Sequence, residues 1–273
     1  MTGASTEIVN IPVVGGVLEA ELRGGISSNA SPPIVFLHGW TLDRRMWAQQ
    51  MKALAAEHPV IAFDRRGFGQ STAPAGIDLE PDDIIAVQDY FSLQASVVVG
   101  MSQAGRIALE FALRRPQRTI GLILEGAGLS GFKPAAKPDE QIPLGHYRSL
   151  VEAGQIDKMR KQWREHPLMQ SPNPDAVKCM DDMLRSYDGR DLRTPPPPSF
   201  GVGVDALDRI QTPVLVVTGD QETPWRQLVA DAIAYGVPDA RRATVKNAGH
   251  VCNLSNPEGF NAIVGAFMAE LRE

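Results

Sequence analysis

The chain has 273 residues, 43% hydrophobic and 22% charged, with a formal net charge of −5. This length and ordinary composition suit one α/β domain carrying an insertion better than two separate cores. The mild negative charge gives no electrostatic reason to bind nucleic acid or an anionic membrane, so a small neutral or weakly polar molecule is the expected partner.

In chain order, the first residues show no basic segment followed by an apolar run, and no stretch is long enough to span a bilayer. A cytoplasmic location is the default expectation. Glu7 to Val14 and Val17 to Arg23 alternate as strands around Gly15-Gly16, a hairpin signal. Ile34 to Leu37 is a short continuous apolar run, as expected of a strand buried on both faces. Arg44 to Ala56 reads as a helix, Val60 to Phe63 as a second buried strand, and residues 81–91 as a helix starting at Pro81. Val97 to Val99 is a third buried strand, Ser102 to Arg114 a helix closed by Pro116, and Ile120 to Leu124 a fourth strand. This rhythm predicts a mostly parallel sheet with helices on both faces.

After Glu125 the rhythm breaks. Residues 127–205 hold no convincing buried strand. They carry Pro134, Pro138, Pro143, Pro167, Pro172, Pro174 and the run Pro195 to Pro198, with helical stretches at 144–165 and 175–187. They read as a helical cap insertion over a core formed by 1–126 and 206–273. Alternation returns with a strand at Val214 to Val217 and a helix from Pro224 to Tyr235. A strand at Arg242 to Val245 and a helix from Pro257 to Leu271 complete the chain.

The strongest chemical signal is Gly100-Met101-Ser102-Gln103-Ala104-Gly105, where a buried strand turns into a helix with Ser at the apex. That is the context of a nucleophile elbow, although Ala104 stands where the strict G-x-S-x-G pattern has glycine. The bland alternative is a Ser that caps a helix. A serine hydroxyl needs a base. Of His38, His58, His146, His166 and His250, only His250 follows the last strand at the sheet edge that holds Ser102. His58 reads as a surface residue, and His146 and His166 as exposed or pocket-lining residues of the insertion. The base needs a carboxylate. Glu222 is the first candidate, because it lies further out in the loop than Asp220, which can hold the turn by itself. Glu125, ending the preceding strand, is the third. Backbone N–H groups of Gln103 and Trp40, the latter in His38-Gly39-Trp40, are the candidate oxyanion donors.

Other chemistries find little support. Gly126-Ala127-Gly128-Leu129-Ser130-Gly131 matches G-x-G-x-x-G, but Pro134 and Pro138 oppose the helix that a dinucleotide site requires. No phosphate loop or H-E-x-x-H motif is present. Cys179 and Cys252 lie far apart in no C-x-x-C spacing, against a disulfide framework or thiolate zinc site. No cofactor and no metal are expected.

With these residues in view, the chain resembles the α/β-hydrolase superfamily along almost its whole length. The matching segments are His38 to Trp40, Asp64 to Ser71, Gly100 to Gly105, Pro213 to Glu222 and Asn247 to His250. The resemblance implies an acid three residues after the strand-ending Gly219, at Glu222. Asp is usual there, so Glu is a departure, and relatives with the acid after the preceding strand keep Glu125 open. The Asp64 to Ser71 loop is structural in the family. Tyr187 to Asp191 and the return at Val204 to Ile210 are similar to the cap of small esterase and lactonase-like members. The expected activity is hydrolysis of a small ester or lactone by the serine, without cofactor. Alternatives are perhydrolase or haloperoxidase-like chemistry, carbon–carbon bond hydrolysis, and a ligand receptor on the same fold. Trp163, Met169, Met180, Met183 and Phe200 are candidates for pocket walls or insertion core. The sequence is silent on oligomeric state.

Overall fold

A computed structural model describes residues 6–26, 31–132, 141–194 and 200–272. Pro134, Pro138 and Pro195 to Pro198 lie outside the described residues. The strands are β1 (Thr6–Val13), β2 (Gly16–Arg23), β3 (Ile34–Leu37), β4 (Val60–Phe63), β5 (Ser96–Met101), β6 (Thr119–Glu125), β7 (Val214–Gly219) and β8 (Ala240–Val245). They form one sheet in the order β1-β2-β4-β3-β5-β6-β7-β8. The β1–β2 hairpin and the β2–β4 pair are antiparallel, and all other pairs are parallel.

The continuous apolar runs follow from burial on both faces. Ile34 and Phe36 face one apolar layer with Trp47 and Phe260, while Val35 and Leu37 face the other with Ile107 and Ile233. The first layer is covered by α1 (Ala48–Leu54) and α9 (Pro257–Glu270). The second is covered by α2 (Glu80–Tyr90), α3 (Gln103–Arg114) and α7 (Pro224–Gly236). The sheet is thus a rigid platform whose parallel strands all point their carboxyl ends to one edge, where open α/β sheets place their sites.

The described part of the insertion carries three α-helices, α4 (Leu144–Glu152), α5 (Ile156–Arg164) and α6 (Pro174–Ser186), with 3-10 turns at Pro167–Met169 and Arg190–Arg193. The helix expected over 144–165 is two, because Gly154 adopts a left-handed φ of 71° after α4. Tyr147, Met159, Trp163, Met180 and Met183 join the same apolar cluster as Phe36 and Trp47. These helices therefore extend one core layer of the sheet and have no separate core. Polar ties add to this. Trp163 Nε1–H donates to Thr41 Oγ1 at 2.7 Å, and Arg190 Nη2 donates to Gly69 O and Ser71 O, each at 2.9 Å.

Three local details differ from the sequence reading. Arg44–Trp47 is a 3-10 turn, with Asp43 Oδ1 accepting the Arg45 N–H at 3.0 Å, and the α-helix starts after it. A four-residue helix, α8 (Cys252–Ser255), follows His250. His58 is buried rather than on the surface, with ring contacts to Pro32 O (2.9 Å) and Arg272 Nη2 (2.7 Å). Among the described residues, no helix is long and apolar enough to cross a membrane.

Candidate active site

Ser102 follows β5 and precedes α3 with φ 54° and ψ −110°. That conformation is unfavourable for a residue with a Cβ and costs on the order of 1–3 kcal/mol. Its surroundings over-determine it. Ser102 N–H donates to Glu125 O at 2.8 Å, and Ser102 O accepts from Gly105 N–H at 3.0 Å and Gly128 N–H at 3.1 Å. Gly100 permits the sharp turn, since a Cβ there would lie 2.6 Å from Ala104 O. Ala104 itself is fully buried at the position where the strict motif has glycine.

His250 lies in the loop between β8 and α8, only 5% exposed. Its Nε2 is 2.9 Å from Ser102 Oγ, and its Nδ1 is 2.7 Å from Glu222 Oε2. An ionised carboxylate only accepts, so Nδ1–H donates to Glu222 and Nε2 accepts the serine hydroxyl. Burial alone would push the Glu222 carboxyl up. The attraction and hydrogen bond of the His250 ring, together with the Thr223 N–H donated to Oε1 at 2.8 Å, outweigh burial and hold it below the ordinary glutamate range. Gly126, at φ 51°, lets the chain pass close beneath, because a Cβ there would lie 2.7 Å from His250 Cε1.

The other two acids sit elsewhere. Asp220 is exposed, and its Oδ1 accepts the Ala248 N–H at 3.1 Å, so it fastens the loop that carries His250. Hydrogen bonds from the Ala248 and Asn247 backbones hold its carboxyl below the usual range. Glu125 is fully buried beneath the site, where its Oε1 accepts the Asn253 N–H at 2.9 Å. Burial, aided by the Glu222 charge, pushes it up to about 8 against that hydrogen bond and contacts from Cys252. Burial and the Glu125 charge in turn push the Cys252 thiol well up.

Gln103 is the first residue of α3, so its N–H has no partner within the helix. Trp40 occupies the second position of a turn closed by the Leu42 N–H donated to Gly39 O at 3.3 Å. A Cβ at Gly39 would meet Met101 Sδ at 2.4 Å, so a larger residue there would have to displace the Met101 side chain at the end of β5. Side chains that carry no local motif hold both segments. Arg65 Nη1 donates to His38 O at 3.0 Å and its Nη2 to Gln103 Oε1 at 2.8 Å. Glu80 balances the buried guanidinium at 2.6 and 2.9 Å. Asp191 accepts the Trp40 Nε1–H at 2.8 Å and the Tyr187 O–H at 2.6 Å, which ties Trp40 to the insertion. Sequence reasoning gave no site role to Arg65, Glu80 or Asp191, because the contacts that make them matter, Arg65 with Gln103 and Asp191 with Trp40, join positions far apart in the chain.

The remaining histidines are not near Ser102 in this way. His38 accepts the Arg65 N–H at 2.9 Å, and burial, then the Arg65 charge, lowers it to about 3, so it stays neutral. His146 is exposed beside Gln162, and the His166 ring lies 4.8 Å from that of Trp163.

Ser102 and His250 open onto a cavity of about 660 Å³ between the sheet edge and the insertion. Trp163, Met169 and Phe200 contribute walls, whereas Met180 and Met183 are packed in the apolar cluster. Arg106 and Arg226, which the sequence reading did not single out, also line it. The glycine-rich segment after β6 starts no helix through residue 132, and Ser130 instead bridges to Gly203. Among the described residues, no group of three or more His, Cys, Asp or Glu side chains could hold a metal ion.

A sequence model of the Alpha/beta hydrolase family matches residues 34–263. The chain belongs to this family. It is 26% identical to a pimeloyl-[acyl-carrier protein] methyl ester esterase of Neisseria meningitidis, over 88% of this chain and 94% of that protein. It is 27% identical to a 2-hydroxy-6-oxononadienedioate/2-hydroxy-6-oxononatrienedioate hydrolase of Pseudomonas putida, over 93% of each. The enol-lactonase of Burkholderia xenovorans LB400 superposes with a TM-score of 0.78 at 20% identity, covering 96% of this chain and 100% of that one, which shows the shared alpha/beta hydrolase fold.

Proposed function

We propose that this alpha/beta hydrolase cleaves a small-molecule carboxylic ester or lactone through a serine acyl-enzyme. The observation that carries the reading is the hydrogen-bonded series Ser102–His250–Glu222 opening onto the cavity. The Neisseria relative, named as a methyl ester esterase, is in keeping with it.

In the first step His250 Nε2 takes the Ser102 proton as Oγ attacks the carbonyl carbon. Glu222 keeps the ring in the tautomer that accepts at Nε2 and stabilises the imidazolium. The backbone N–H groups of Trp40 and Gln103 receive the developing oxyanion, which such preorganised donors stabilise by several kcal/mol (about 3 per donor removed). Collapse of the tetrahedral species breaks the carbon–oxygen bond, and His250 returns the proton to the departing alkoxide. Water then attacks the acyl-enzyme, with its proton taken by His250. The acid leaves, and Ser102 regains its proton. The described part of the insertion supplies a wall of the acyl pocket through Trp163, Leu168 and Met169.

An organophosphate ester tests the assignment of the nucleophile. Diethyl p-nitrophenyl phosphate should leave one diethylphosphoryl group on the wild-type protein, mapped by peptide mass spectrometry to Ser102. Labelling at another residue, or equal labelling of Ser102→Ala, would sink the assignment.

A further inference from the structure

The chain leaves the core after β6 through residues 126–132 and returns to it through 200–205. These two segments run side by side as the neck of the insertion. Ser130 N–H donates to Val202 O at 3.2 Å, and Ser130 pairs with Gly203 in a parallel bridge. The neck forms one wall of the Ser102 cavity through Leu129, Ser130, Phe200 and Gly201. Phe132 packs on Trp225 of α7, with ring centroids 5.6 Å apart.

One side chain fastens both segments to the nucleophile helix. Arg106 lies one helical turn after Ser102 on α3, ~6 Å along the helix axis. Its Nε donates to Ser130 Oγ at 3.2 Å and its Nη2 to Phe200 O at 2.7 Å. Ser130 O–H in turn donates to Phe200 O at 2.9 Å, which closes a ring of three hydrogen bonds across the neck. The guanidinium carbon also lies 5.9 Å from the centre of the Phe200 ring. Glycines make room for this clamp. A Cβ at Gly128 would lie 3.1 Å from Arg106 Cδ. One at Gly201, where φ is 103°, would collide with Ser130 Oγ and come within 3.3 Å of Arg106 Nε. The planar fork of arginine holds two acceptors at a fixed separation, which an ammonium on a flexible stem does not. A wall made of loop backbone and glycines has little regular structure of its own to fix it, so the clamp sets its position.

We infer that Arg106 is a positioning residue, which holds the neck wall where the acyl chain of a substrate attached at Ser102 packs against it. The inference rests on the acyl-transfer reading of Ser102. A chain long enough to touch Leu129 and Phe200 gains binding energy from a wall already in place. An acetyl group ends at Ser102 and gains none. The clamp therefore favours esters of longer apolar acids over acetates.

The test compares p-nitrophenyl hexanoate with p-nitrophenyl acetate. Release of p-nitrophenol gives kcat and KM for both, and calorimetry on Ser102→Ala gives the affinity for the hexanoate ester without turnover. Arg106→Gln should lower the hexanoate-to-acetate ratio of kcat/KM about tenfold. The loss should sit in KM for the hexanoate, as when binding common to ground and transition states is removed. Arg106→Lys, which keeps one donor, should retain part of the ratio. Ser130→Ala is the gentler change and should lower the ratio about threefold. The double variant Arg106→Gln/Ser130→Ala should fall short of the product of the two single effects, because both belong to one clamp. An unchanged ratio, equal losses for both esters in Arg106→Gln, or fully multiplicative effects would overturn the inference and leave the hydrolase reading standing. Should Arg106→Gln not fold, Ser130→Ala decides: a threefold fall in the ratio supports the inference, and an unchanged ratio overturns it. If the wild type releases p-nitrophenol from neither ester, the hydrolase reading fails and calorimetry decides the inference. Binding of the hexanoate ester about tenfold weaker in Ser102→Ala/Arg106→Gln than in Ser102→Ala would support it, and equal binding would overturn it.

Discussion

Replacing Glu125 by Gln should change how stability depends on pH. Glu125 is fully buried, with Oε1 accepting the Asn253 N–H. Burial raises its carboxyl from 4.5 to about 8. The folded protein therefore holds a proton on Glu125 between those values that the unfolded chain has released. Each pH unit in that window lowers wild-type stability by about 1.4 kcal/mol from this group. The contribution is fully present below about 4.5 and is lost as pH rises through about 8. Glutamine keeps the shape and the acceptor for Asn253 but does not titrate. The stability of Glu125→Gln relative to wild type should therefore rise by about 3 kcal/mol between pH 5 and pH 7.5. Urea unfolding of both proteins at several pH values measures the difference. Curves that stay parallel across this window would refute the reasoning. The same variant bears on the triad, because a carboxyl protonated at neutral pH cannot serve as the charge partner of His250. Glu125→Gln should keep ester turnover within a few-fold of wild type, as a positioned but chemically silent residue would.

Other substitutions test separate parts of the site. Glu222→Gln should lower kcat by about 10³- to 10⁴-fold, read from steady-state ester hydrolysis, through loss of the tautomer and of imidazolium stabilisation. Asp220→Asn, which keeps an acceptor for the Ala248 N–H, should change kcat less than about threefold, within the effect of a weakened neutral hydrogen bond. Ser102→Gly should be at least ~1 kcal/mol more stable than Ser102→Ala in urea unfolding, since glycine accepts φ 54° without strain. Asp191→Ala should lower kcat about tenfold or more by freeing Trp40, with Tyr187 and Trp40 each losing a partner. Trp fluorescence in that variant should report the released ring.

The legible parts of the fold were those with a local physical cause. Four-residue apolar runs such as Ile34–Leu37 announced strands buried on two faces, and Gly100 to Gly105 announced a sharp strand-to-helix turn. The three competing acids could not be separated that way. Asp220 and Glu222 follow β7 and Glu125 ends β6 at the same edge, and only packing shows Glu222 against Nδ1, Asp220 on the Ala248 N–H and Glu125 below them. His58 was misread because its partners, Pro32 and Arg272, come from opposite ends of the chain. Arg106 and Arg226 form no pattern in sequence and meet only where α3 and α7 flank Gly128. The four-residue α8 is too short for its periodicity to be read.

The central claim is that Ser102 attacks an acyl carbonyl with His250 as its base. Its most direct test is hydrolysis of short-chain p-nitrophenyl esters by wild type beside Ser102→Ala. Both proteins should first be shown to be folded by their unfolding transitions. The account predicts turnover by wild type and a fall of about 10⁴-fold or more in the variant. Equal rates in the two proteins would contradict it.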